Sequence, residues 1–121
     1  MGRGLSDLQR SILQIGARNL AEEGARERGS GSDVYLPEII AEVYALGDRR
    51  QARRALGRQV FPNTPEVRRA RAAVCRALDR LKRRGLIRRT YGAWGSWRGA
   101  NLTEAGRLSV STRENCHNVN R

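Results

Sequence analysis

Arginine is the residue whose type and spacing could do chemistry in this chain, and that chemistry is recognition of a polyanion. In NTPEVRRARAAVCRALDRLKRRGLI, residues 63–87, Arg68, Arg69, Arg71, Arg76, Arg80 and Arg83 follow one another at short intervals. A guanidinium keeps its charge at neutral pH, forks onto phosphate oxygens and can pair with O6 and N7 of guanine. Between Arg49 and Arg98 stand sixteen basic and two acidic residues, against eight basic and ten acidic in the remainder. The formal charge of +12 is therefore segregated. A bias toward Arg over Lys (Lys82 is the one lysine) does not separate charges along a chain. Separation points to one face made for phosphate.

Other chemistries find little footing. His117 is the single histidine and lies in a polar tail, and Glu22-Glu23 is expected in a loop with no partner. No phosphate-cradling Gly loop or H-E-x-x-H pattern is present, so the chain reads as a non-enzyme without a cofactor. Cys75, Cys116 and His117 fall short of the four ligands that zinc takes, so no metal is expected, and both cysteines read as free thiols. No apolar run approaches the ~18 residues of a membrane span and no apolar leader opens the chain. The expectation is a cytoplasmic, nucleoid-associated protein without membrane contact.

The elements that must carry the arginines can be read from caps and periodicity. Asn63 or Thr64 can cap a helix whose first turn holds Pro65 and Glu66. Gly85 is its stop, after Lys82, Arg83 and Arg84. Val67, Ala70, Val74, Ala77, Leu78 and Leu81 recur at helical spacing and form its core stripe. The opposite face carries Arg68, Arg69, Ala72, Cys75, Arg76, Asp79, Arg80 and Arg83, where the small side chains would let the backbone approach an anion. Charged helix faces are commonly no more than solvated surface, but those mix signs, and here Asp79 is the lone acid.

Ahead of that helix, Ser6 and Gln9 make a capping box for a first helix ending near residues 21–24, with Leu8, Ile12, Ile15 and Leu20 inward. Residues 22–32 read as a Gly- and Ser-rich loop, and 33–36 as a very short strand. Pro37 opens a second helix, PEIIAEVYAL, burying Ile39, Ile40, Val43, Tyr44 and Leu46. Residues 48–60, DRRQARRALGRQV, read either as disordered or as a basic helix with Ala52, Leu56 and Val60 inward and Arg49, Arg50, Arg53 and Arg54 outward. Residues 86–91 and 97–102 suit two strands joined by a turn at 92–96, and Thr103 begins a final helical turn. The segment 111–121 is a flexible polar tail.

Three helices, RALDRLKRRGLIRR, a hairpin and then LTEAGR together resemble a winged helix-turn-helix domain, most closely the bacterial and archaeal regulators of the MarR and PadR type. The family's Leu-x-x-Leu-x-x-x-Gly-Leu-Ile is matched by Leu78, Leu81, Gly85, Leu86 and Ile87, and its Leu-Thr-x-x-Gly by Leu102, Thr103 and Gly106. The resemblance implies a mainly α chain with a small β-hairpin: a three-helix core plus wing over residues 1–110, with a basic insertion at about 47–63 where the family has a short turn. It lacks the long terminal helices with which MarR-type regulators dimerise and frame a ligand pocket.

By that resemblance the third helix enters the major groove and the wing touches backbone or minor groove. Arg68, Arg69, Arg71 and Arg76 lie in the half of the helix that enters. Arg69, Arg76, Ala72 and Cys75 are then expected at base edges, Arg53, Arg54, Arg80 and Arg83 at phosphates, and Arg88, Arg89, Ser96 and Arg98 on the wing. Trp94 and Trp97 at the turn could stack on unpaired bases or fold back onto the core. The expected function is sequence-specific binding of double-stranded DNA by a small transcriptional regulator, with a homodimer on a palindromic site as one possible arrangement. A plasmid or viral replication, partition or architectural protein is the alternative within DNA binding, and a protein–protein or RNA interaction module is the alternative outside it.

Overall fold

The computed structural model describes residues 4–23, 32–58, 60–90 and 98–110. Helix α1, Asp7–Glu23, starts at the reciprocal cap read from sequence: Gln9 N–H donates to Ser6 Oγ and Ser6 N–H to Gln9 Oε1, both at 3.2 Å. Ile12 and Ile15 are buried as expected, whereas Leu8 and Leu20 are half-exposed. Leu13 and Asn19 are buried in addition, so the covered stripe is wider than an apolar count suggests.

Strand β1, Val34–Tyr35, leads directly into α2, Leu36–Tyr44, with Pro37 in its first turn. Ile39 and Ile40 are buried, but the expected burial of Val43 and Tyr44 does not occur: they are 36% and 37% exposed. Ala45 takes a left-handed conformation (φ 55°), and the helix stops there. The basic segment folds as a six-residue helix α3, Arg49–Arg54, whose Asp48 Oδ1 accepts from Arg50 N–H at 2.9 Å. It does not continue to residue 60. Leu56 and Gly57 both have positive φ (57° and 89°), which ends the helix and leaves Leu56 47% exposed instead of inward, with Val60 half-buried.

Helix α4, Pro65–Arg83, is the long element. Thr64, not Asn63, is its cap: Thr64 Oγ1 accepts from Val67 N–H at 3.2 Å. Val67, Ala70, Val74, Ala77, Leu78 and Leu81 are all buried, each position of the stripe read from spacing. Gly85 (φ 78°) turns the chain so that Leu86 N–H donates to Leu81 O at 3.0 Å.

Strands β2, Ile87–Arg89, and β3, Gly99–Leu102, pair antiparallel with Ile87 opposite Leu102. The sheet is not a two-stranded hairpin. β1 joins the other edge of β3, Val34 opposite Ala100, giving the order β1-β3-β2. Residues 104–110 are helical, longer than the single turn expected, and bury Val110. The protein is thus mainly helical with a small antiparallel sheet, an α+β arrangement around one core of Ile12, Ile40, Val74, Leu78, Leu81, Ile87 and Leu102.

The two glycine motifs meet in space. Thr103 N–H donates to Leu86 O at 3.1 Å and Thr103 Oγ1 donates to Gly85 O at 2.7 Å, while Gly106 N–H donates to Thr103 Oγ1 at 3.1 Å. The end of α4 is thereby stitched to the end of the sheet, which fixes the angle at which α4 leaves the core.

Candidate nucleic-acid interface

Because α4 buries one stripe completely, its remaining surface is presented as a ridge. Arg68, Arg69, Ala72, Arg76, Arg80 and Arg83 are exposed along it. Arg68 bends back at the N-terminal end, where its Nη1 donates to Asn63 O at 3.0 Å. Arg80 and Arg83, with Arg84, line an open cavity of about 410 Å³ against Gly4, Ser6 and Gln9 at the start of α1.

The flank of α4 toward β2 is different. Arg71 and Cys75 are half-buried there, and Cys75 packs against the core instead of standing beside Ala72 on the open ridge. Burial pushes the Cys75 thiol above its ordinary range and Asp79 adds to that, while the guanidinium groups of Arg71 and Arg89 act in the opposite sense. Arg71 on α4 and Arg89 on β2 are thus each near enough to Cys75 for their charge to act on its thiol. Arg88, next to Arg89 on β2, is exposed.

Arg53 is not a phosphate contact. Its side chain is 12% exposed, and Nη1 donates to Glu38 Oε1 at 3.0 Å on a carboxylate with 0% exposure. Nη2 donates to Ser32 O at 3.1 Å, Nη1 lies 3.3 Å from Asp33 O, and the guanidinium sits 5.5 Å from the centre of the Tyr35 ring. The physical reason is Glu38. A buried carboxylate needs a partner, and Tyr35 N–H (3.1 Å) and Asn19 Nδ2 (2.7 Å) supply hydrogen bonds but no opposite charge. Arg54, one residue on, is exposed, as are Arg50 and Arg58.

Arg98 is exposed at the start of β3, with its Nε donating to Leu56 O at 2.8 Å. The loop after α3 is thereby tied to the chain just ahead of β3. Trp94 and Ser96, with Trp97, lie outside the described residues.

Sequence reading missed the polar network that holds these elements. Asp33 Oδ2 accepts from Leu102 N–H and Asp33 N–H donates to Asn101 Oδ1, each at 2.8 Å, tying β1 to β3 by side chains as well as backbone. Two signals were present: Asn19 interrupts the apolar stripe of α1, and Glu38 follows Tyr35 at the spacing of a helix cap.

Among the described residues no group of three or more His, Cys, Asp and Glu is placed to hold a metal ion, and no helix is long and apolar enough to cross a membrane. Comparison with protein-family models, curated proteins and solved structures finds no match to this chain.

Proposed function

We propose that this protein binds double-stranded DNA sequence-specifically, as a small transcriptional regulator of winged helix-turn-helix architecture, with α4 in the major groove and the β2–β3 hairpin as the wing. The observation that carries the reading is the open ridge of α4, on which Arg69 and Arg76 are exposed beside Ala72 while every apolar position beneath is buried. The element order, the sheet order β1-β3-β2 and the contact between Gly85 and Thr103 support the architecture.

Dimensions divide the ridge. At ~1.5 Å rise per residue, Arg69 and Arg76 stand about 10 Å apart along the helix, two turns apart on one face in the half proposed to enter the major groove. Arg83 lies about 21 Å from Arg69, beyond the groove and within reach of the flanking phosphates. The N-terminal half of α4 then reads base edges and the C-terminal half holds backbone. Nothing in this reading requires a cofactor or a catalytic step.

The test is titration against duplex DNA at several salt concentrations. With roughly six to ten phosphates neutralised, log K falls with log[salt] with a slope of about −5 to −9. A flat response, or tighter binding to single strands than to duplex, would overturn the reading.

A further inference from the structure

Three features of α3 have no role in the reading above. The first is its attachment. A six-residue helix is held by an arginine that reaches a fully buried carboxylate, two backbone carbonyls and an aromatic face. Desolvating such a pair costs about as much as its attraction returns, so its effect is to fix position more than to add stability. The second is what the attachment leaves outside. Ala52 is buried, and Arg50 and Arg54, one turn apart, occupy the opposite side of the helix, followed by Arg58. The third is location. α3 packs against α2 and β1, whereas α4 packs against α1, α2 and β2. β1 and β2 are the two edges of the sheet, so the two arginine-bearing helices pack on different edge strands, and Arg98, just ahead of β3, is bonded to the loop that follows α3.

We propose that Arg50, Arg54, Arg58 and Arg98 form a second phosphate-binding surface, at the β1 edge of the sheet whereas α4 packs at the β2 edge, which lengthens the DNA footprint beyond the groove that α4 occupies. This rests on the duplex-binding reading and adds a partner surface to it. Three strands at ~4.8 Å spacing set the sheet edges about 10 Å apart, and phosphates recur every ~3.4 Å along a strand. With the strand-to-strand direction of the sheet lying along the duplex, the α3 surface meets backbone about three base pairs past the wing. Such contacts carry no base information, so they raise affinity for all sequences alike and increase the salt dependence. Arg53 is the positioning residue of this surface. It touches no phosphate, and it holds the helix that does.

The experiment compares three full-length chains, wild type, Arg50→Gln/Arg54→Gln/Arg58→Gln and Arg69→Gln/Arg76→Gln, on duplexes of graded length containing a sequence selected by the wild type. The α3 variant is expected to keep the base preference, to bind on the order of a hundredfold more weakly near 0.15 M salt, and to lose about 2–3 units of salt slope. Its affinity should also stop depending on duplex length about three base pairs earlier than that of the wild type. The Arg69/Arg76 variant should lose base preference while retaining the length dependence. An α3 variant with wild-type slope and length dependence would overturn this inference and leave the duplex-binding reading standing. A wild-type chain that ignores duplex DNA, or prefers RNA, would overturn both. The substituted arginines are all exposed, so an unfolding midpoint near that of the wild type confirms that any loss is one of contact.

Discussion

The carbonyl oxygen of Leu86 occupies the space in which a β-carbon on Gly106 would stand. Gly85, twenty-one positions earlier in the chain and adjacent to Leu86, is a glycine for another reason: its φ is 78°, and nothing lies within 4 Å of a β-carbon placed there. One glycine supplies room for a close approach and the other supplies a backbone angle.

The two are separable by substitution. Asn tolerates the left-handed conformation, so Gly85→Asn should cost under about 1 kcal/mol, and Gly85→Ala about 1–2 kcal/mol. At Gly106 even Ala must push the helix off the Leu86 carbonyl, costing about 1–3 kcal/mol, with Asn no better. Urea unfolding with unchanged m reads these differences. If Gly106→Asn were as mild as Gly85→Asn, the close packing of residues 104–110 on the end of α4 would be wrong.

Glu38 makes a sharper case, because its burial is complete and its charge is answered by Arg53. Arg53→Met leaves that charge uncompensated in the interior and should destabilise the protein by about 3–5 kcal/mol. Adding Glu38→Gln to the same chain removes the orphaned charge, so the double variant should be more stable than Arg53→Met alone. A double-mutant cycle by chemical denaturation measures the coupling. Additive losses would mean that the two side chains do not hold each other.

These two residues also mark how far the sequence could be read. The six buried positions of α4 were legible because a long, capped helix repeats its pattern often enough to fix the phase. The Gly85 stop and the Ser6–Gln9 cap were legible because they depend on neighbours a few residues away. The fate of Arg53 depends on a carboxylate fifteen positions earlier, and local spacing only placed it off the Ala52 face. The third strand was missed as a sheet member for the same reason, since β1 pairs with a segment more than sixty positions away. Leu56 looked apolar and inward, but α3 stops at Arg54 and Leu56 itself takes a positive φ. Of the residues placed on the open face of α4, all are exposed except Cys75, which is half-buried against the core.

Cys75 offers a chemical probe of that flank. Burial first and Asp79 second raise its thiol pKa, with Arg71 and Arg89 opposing. In a Cys116→Ser chain, where Cys75 is the only thiol, the pH midpoint of alkylation should be higher in the native protein than in urea. A thiol that binds its proton more tightly when folded contributes stability that is full below the unfolded pKa and declines as pH rises through the folded one. Cys75→Ala should therefore flatten part of the alkaline decline in unfolding free energy. Coincident native and urea midpoints would place the thiol in solvent, on the open ridge and away from Arg89.

Along α4 the arginines should divide by function, and the division is measurable without knowing the target in advance. Sequences enriched from a random duplex pool by the wild type define the preferred bases. Arg69→Ala and Arg76→Ala should each relax preference at particular positions, by about 1–3 kcal/mol of discrimination for a bidentate guanine pair. Arg80→Ala and Arg83→Ala should weaken binding to every sequence alike and reduce the salt slope by about 0.9 each, as loss of a phosphate contact does. The contrast follows from the proposed docking: Arg69 and Arg76 lie in the half of α4 that enters the groove, and Arg80 and Arg83 lie about 16 and 21 Å along the helix from Arg69. If Arg80 or Arg83 changed the enriched sequence while Arg69 and Arg76 changed only the salt slope, α4 would be docked end for end relative to the arrangement proposed here.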